Sequence, residues 1–162
     1  MKKYALILAA FALLFIAPGC KNEQNDPENP TQPDRPTPVE TIKGNVDKPS
    51  WTVPTDYDYT SSMTAVVKVD LTIKYPDSAK DFALTDNDLL AAFIGDQCLG
   101  VSSPNDGLFY LYIVGAEGAV TLRYWSAQYT NIFEVTNAFD FHNNDNLGTV
   151  AQPLTPTFVV KK

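Results

Sequence analysis

Four side chains near the middle of the chain have the types and spacing to hold a ligand. Tyr110 and Tyr112 stand two residues apart, as do Arg123 and Trp125, and in a strand residues two apart point to the same side. A turn at Gly115, Ala116, Glu117 and Gly118 would fold the two runs into a hairpin with Val114 opposite Ala119. Ile113 then meets Val120, Leu111 meets Leu122 and Phe109 meets Tyr124, a continuous apolar face. The other face sets Tyr112 against Thr121, Tyr110 against Arg123 and Leu108 against Trp125, with cross-strand neighbours about 5 Å apart. Flat aromatic rings beside a guanidinium suit a sugar, whose C–H faces stack while its hydroxyls find hydrogen-bond partners. The competing account is that Tyr and Trp favour strands generally and that a loop covers this face, and it carries the greater weight.

Other constellations are thinner. Asp140, His142, Asn143, Asn144, Asp145 and Asn146, ahead of Gly148, collect hard oxygen ligands in one loop, and Asp140, Asn143 and Asp145 are the residues a Ca²⁺ ion would use. Their spacing is not that of an EF-hand, and Asn and Asp are also what turns require, so a plain solvated turn is the preferred reading and no cofactor is called for. Asp86, Asn87 and Asp88 read the same way. Catalysis finds little material. Glu117 and Glu134 are the two Glu residues after position 50, and glycoside hydrolysis needs two carboxyls across a cleft that so small a sandwich hardly provides. Cys98 lies in an apolar run, where a lone Cys is more often a small buried hydrophobe than a nucleophile. No Ser-His-Asp order, His pair for zinc or Gly-rich phosphate loop is present. A non-enzyme is expected.

Charge narrows the partners. The 162 residues carry 12 basic and 19 acidic side chains, a formal charge of -7. Residues 51–162 hold six basic and thirteen acidic groups, the same net charge. Such a surface lacks the clustered basic stripe that displaces counterions from a phosphate backbone, so no nucleic acid partner is expected.

The elements that must position these residues read as strands and turns. Residues 63–75 alternate apolar and polar positions with period two, which predicts one long half-buried strand ended by Pro76 and Asp77. Residues 89–94 and 97–101 flank Gly95 and Asp96 as a two-residue hairpin that sets Phe93 against Cys98. Pro104, Asn105, Asp106 and Gly107 make another turn. Further strands are predicted over 132–135, 138–141 and 157–160. No segment keeps a helical period, so the expectation is one all-β antiparallel sandwich over 51–162, immunoglobulin-like or jelly-roll-like. Its predicted core is Met63, Val67, Val69, Leu71, Phe109, Leu111, Ile113, Val120, Leu122 and Tyr124.

The amino terminus reads as an address. Lys2 and Lys3 precede an apolar stretch over 5–17, then Pro18, Gly19 and Cys20, a signal too short to span a bilayer comfortably. With Gly19 before Cys20 it resembles the bacterial lipoprotein signal, which implies cleavage after residue 19 and lipid attachment at Cys20. Cys98 would then have no disulfide partner. Residues 20–50, with Pro27, Pro30, Pro33, Pro36, Pro38 and Pro49 among Asn, Asp, Glu and Thr, predict an extended, disordered tether.

The run Asp88-Leu89-Leu90-Ala91-Ala92-Phe93-Ile94-Gly95-Asp96-Gln97-Cys98-Leu99-Gly100-Val101, with the later Gly107-Leu108-Phe109-Tyr110-Leu111, Phe139 and Gly148-Thr149, resembles a β-sandwich module of cell-surface lipoproteins in Bacteroidota. The resemblance implies an extracytoplasmic, lipid-anchored protein with an accessory or binding role. Lys21 after the lipidated Cys suggests the outer membrane. The scattered Glu23, Asp26 and Glu28 leave open whether the protein faces the cell surface or the periplasm. The expected function is a non-catalytic envelope-anchored module for glycan binding or surface interaction; the alternatives are an adhesion or assembly subunit contacting another envelope protein and, behind both, a small hydrolase.

Overall fold

A computed structural model describes residues 39–55, 60–115 and 117–162. The expected signal peptide, the expected lipid attachment at Cys20 and the expected tether up to residue 38 lie outside the described residues. Among the described residues ten strands form two sheets: β1 Ser62–Val67, β2 Leu89–Ile94, β3 Gln97–Ser102, β4 Pro104–Asn105, β5 Leu108–Val114, β6 Ala119–Ser126, β7 Asn131–Val135, β8 Phe139–Asp140, β9 Asn146–Leu147 and β10 Phe158–Val160. The smaller sheet runs β4-β5-β1-β9. The larger runs β10-β7-β6-β2-β3, with β8 pairing the start of β6. Among the described residues the strands pair antiparallel except β1 with β9, beside an isolated parallel bridge between Val67 and Leu154. The two sheets pack as a sandwich, and all ten predicted core residues are buried in it.

The period-two pattern works as it should in β1, where Met63, Ala65 and Val67 turn inward and Ser62, Thr64 and Val66 turn outward. The predicted strand over 63–75 nevertheless ends at Val67. Asp70 stops it: its Oδ1 accepts from the Thr72 backbone N–H at 3.0 Å and from the Thr72 hydroxyl at 2.6 Å, capping a 3-10 turn over Leu71–Ile73. Leu71, Tyr75 and Ala79 then bury themselves at intervals of four, the spacing of coiled turns, while Ile73 points to solvent.

The hairpin around Gly95 and Asp96 forms in the expected register, with Phe93 opposite Cys98 and Gly95 at φ +60. Asp106 and Gly107 both take positive φ, as the tight turn between β4 and β5 requires. The expected β5–β6 hairpin does not exist. β5 pairs with β1, Tyr112 opposite Thr64 and Tyr110 opposite Val66. β6 pairs with β2 and β7 in the other sheet, Ala91 opposite Arg123 and Glu134 on its other side. The connection between β5 and β6 therefore crosses from one sheet to the other. Their two apolar faces do meet, but across the layer: the rings of Phe109 and Tyr124 touch edge to face at 6.0 Å.

At the centre of this core Tyr124 donates its hydroxyl to the Asp88 carboxyl at 2.8 Å. Asp88 is fully buried and also accepts from the Ala127 N–H at 2.8 Å, the Thr85 N–H at 3.1 Å and the Thr85 hydroxyl at 3.2 Å. Read from sequence as one more turn residue, it is a fully partnered buried group. Burial, reinforced by the Asp88 charge, pushes the Tyr124 hydroxyl well up, so it stays a donor.

The sandwich also engages chain that precedes Trp51. Ile42 joins the core between the sheets, and the chain after it, through Val46, Lys48 and Trp51, forms a strap across the outer face of the larger sheet. The Gly44 N–H donates to the Tyr129 carbonyl at 2.9 Å and the Val46 N–H to the Thr130 carbonyl at 2.8 Å. The Asn131 amide donates to the Ile42 carbonyl at 3.1 Å. Ile42 is 2% exposed. Composition placed 39–50 in the tether because isolated apolar residues between prolines carry no period; Ile42 is instead an anchor. Ile42→Ala is expected to lower unfolding free energy by about 2 to 5 kcal/mol in denaturant titration, whereas Val39→Ala at an exposed position should stay within about 0.5 kcal/mol. Equal, negligible effects would return the strap to the tether.

Candidate functional site

The sheet assignments separate the four predicted ligand-binding residues. Tyr110 and Tyr112 lie on the outward side of β5 in the smaller sheet. Arg123 and Trp125 lie on the outward side of β6 in the larger one. The row anticipated from a β5–β6 hairpin is thus not assembled, because the alternation of a two-faced strand cannot say whether its apolar face meets a neighbour beside it or a layer opposite.

The larger sheet's half of the set is committed to structure. Trp125 is 6% exposed under the strap, its indole N–H donating to the Val46 carbonyl at 3.1 Å and the Lys48 ammonium lying 5.8 Å from its ring centroid. The Arg123 guanidinium sits 4.2 Å from the Phe93 ring centroid and donates through Nε to Glu134 at 2.8 Å. Asp96 lies 3.6 Å from its Nη2, and Lys161 approaches Glu134 at 3.8 Å. Trp51 packs edge-on against Phe93 at 5.6 Å. This is the covered face that the competing account of the aromatic residues described.

The smaller sheet's half is bare. Tyr110 is 39% and Tyr112 61% exposed. Register supplies neighbours: Tyr112 is opposite Thr64, and Thr64 is opposite Asn146 on β9. The Thr64 hydroxyl donates to the Asn146 amide oxygen at 2.5 Å. Three strands therefore present ring, hydroxyl and amide in a line, with the Tyr110 ring and Val66 forming the next rung. Thr64 was legible as an outward residue of β1. Asn146 was not, since its two-residue strand lies within what reads as a turn and pairs in parallel.

The acidic loop has a structural account. The Asn143 amide oxygen accepts from the Ser62 N–H at 3.1 Å, and the Asp145 carboxylate accepts from the Asn146 N–H at 2.8 Å. The Asn144 N–H donates to the Ser62 carbonyl at 2.7 Å, and Asn144 itself takes φ 61. These bonds dock the loop on β1 and launch β9. Asp140 belongs to β8, opposite Ala119. Among the described residues no group of three or more His, Cys, Asp or Glu side chains is placed to hold a metal ion.

Cys98 is buried with Ala91, Phe93 and Trp51, its thiol directed at the Gly100 carbonyl at 3.6 Å. Burial pushes the thiol up, against the pull of that hydrogen bond and of Arg123. Among the described residues no hydrogen bond joins Cys98 to His142, which lies in the loop after β8, and Glu134 is held by Arg123 and Lys161 rather than facing Glu117. No family model, curated protein or solved structure matches this chain.

The division between covered and bare faces is measurable. Trp125→Ala should cost about 3 to 5 kcal/mol of stability, and Tyr112→Ala should stay within about 0.5 kcal/mol. Denaturant midpoints at constant m decide it, and a tolerated Trp125→Ala would remove the strap's structural role.

Proposed function

We propose that this protein is a non-catalytic, envelope-anchored binding module that makes contact through the bare face of its smaller sheet. The observation that carries the reading is the exposed pair Tyr110 and Tyr112 in register with Thr64 and Asn146. Adjacent exposed rings on a soluble domain form an apolar surface that needs a reason, and rings flanked by a hydroxyl and an amide match the stacking and hydrogen-bonding needs of a sugar. The buried thiol of Cys98 and the ion-paired Glu134 speak for binding rather than catalysis.

Anchorage rests on Cys20 and the signal resembling that of lipoproteins, with Lys21 favouring the outer membrane. Several acyl chains on one Cys would hold the module stably, since each buried CH₂ contributes about 0.8 kcal/mol. The resemblance to Bacteroidota surface modules points the same way.

A glycan array probed with the purified protein, beside a pull-down from the same cell envelope, tests the reading. We expect a glycan ligand, and each of Tyr110→Ala and Tyr112→Ala should weaken its binding by about 1 to 3 kcal/mol without loss of fold. Binding to an envelope protein alone would replace the glycan with an assembly role. Retention of glycan binding in both variants would move the site off this face. Mass spectrometry of the mature protein should find its amino terminus at a lipid-modified Cys20; an unmodified terminus sinks the anchor.

A further inference from the structure

A second site stands at the open end of the sandwich, away from the exposed tyrosines. Between β7, β8, β9 and the chain leading into β10 lies a pocket of about 330 Å³. Leu122 and Val135 of the core form part of its lining, together with Phe139, Leu147, Leu154 and Pro156. Thr136, Asn137 and Thr157 add polar groups, and among the described residues their side chains make no hydrogen bonds with the rest of the protein. No residue of the lining carries a charge. An apolar body with a few unspent polar groups is the usual make-up of a small-molecule site.

The walls are fixed by backbone rather than by side chains that would collapse inward. The Leu154 N–H donates to the Val66 carbonyl at 2.9 Å, the Lys68 N–H to the Leu154 carbonyl at 2.9 Å and the Thr136 N–H to the Thr157 carbonyl at 3.1 Å. Gly148, at φ +72, lets the chain pass so close that a Cβ there would stand 2.6 Å from both Leu154 N and Val66 O. These contacts tie the segment after β9 to the end of β1 and the end of β7 to the chain leading into β10.

We propose that this pocket binds a small uncharged molecule with an aromatic or similarly bulky apolar body and one or two hydrogen-bonding groups. A cavity of about 150 Å³ already holds one benzene ring, so the space suits a bicyclic ring. A charged ligand would leave water without meeting a counter-charge, which is strongly unfavourable. The polar end of a neutral one meets Thr136, Asn137 or Thr157. The inference is independent of the tyrosine face.

Methyl-detected NMR titration of the full chain with indole, tryptamine and indole-3-acetate tests it. Indole should shift the methyls of Leu122, Val135, Leu147 and Leu154 saturably, and the two charged analogues should bind about tenfold more weakly or worse. Ala138→Phe and Asn137→Trp, both at exposed positions that line the pocket, should each weaken indole binding by about tenfold or more, and Tyr112→Ala should leave it unchanged. No saturable shift with indole, equal binding of the charged analogues, undiminished binding in whichever blocking variants fold, or a loss in Tyr112→Ala would each overturn the proposal.

Discussion

The hydrogen bond between Tyr124 and Asp88, 2.8 Å long and fully buried, is the constraint on which the rest of the structure hangs. A carboxyl withdrawn from water needs every acceptor position answered, and Asp88 draws its answers from three places: Thr85 just before β2, Tyr124 within β6 and Ala127 just after β6. Those bonds fix β2 against β6 at one end of their shared ladder. They also aim the Tyr124 ring into the core, where Phe82, Phe109, Phe133 and Phe158 surround it at 6.0 to 6.3 Å. Phe109 belongs to the other sheet, so the same ring sets how the two layers meet. Once Tyr124 points inward, Arg123 and Trp125 must point outward, and the larger sheet acquires an outer face that needs cover.

The two outer faces are resolved in opposite ways. On the larger sheet the strap, Trp51 and a set of ion pairs around Arg123 close the surface. On the smaller sheet nothing among the described residues covers Tyr112. Edges are protected by other means, as a β protein requires if neighbouring copies are not to pair strand to strand. β4 begins at Pro104 and is two residues long, β9 is equally short, and β10 has its Val160 N–H taken by the Tyr75 hydroxyl at 2.8 Å. At β3, Gly100 comes so close to β5 that a Cβ would stand 2.7 Å from the Tyr112 carbonyl. With its backbone edges blunted, the molecule presents side chains rather than open strands at its surface.

How much of this the sequence disclosed follows from the range of each signal. Alternation is local and names the buried residues without a partner, so the core was legible down to Val69 and Leu71 even where the strand expected to carry them turned into coiled turns. The Gly95 and Asp96 hairpin was legible because a two-residue turn leaves one register open. The longer connection between β5 and β6 left two arrangements, side by side or face to face, and the same apolar residues satisfy both. That ambiguity misplaced half of the candidate site. Ile42 and Asp88 were illegible for another reason: each acts through groups distant in sequence, the Asn131 amide for one and Tyr124 for the other. Asn146 likewise gains its place only when the loop docks on β1.

On the proposed reading, the bare face also sets the manner of binding. Two stacked rings contribute about 1 to 3 kcal/mol each, which together fall short of the roughly 8 kcal/mol of a micromolar complex. Flat sheets bury little of a ligand, and the nearest side chains on this face, Thr64 and Asn146, already bond to each other. One copy would therefore hold a single sugar weakly. A lipid-anchored module on a Pro-rich tether changes that arithmetic, since many copies share one surface and each later contact with a polymeric ligand becomes effectively intramolecular. A weak flat site suits such an arrangement, because individual contacts release quickly while the ensemble stays attached.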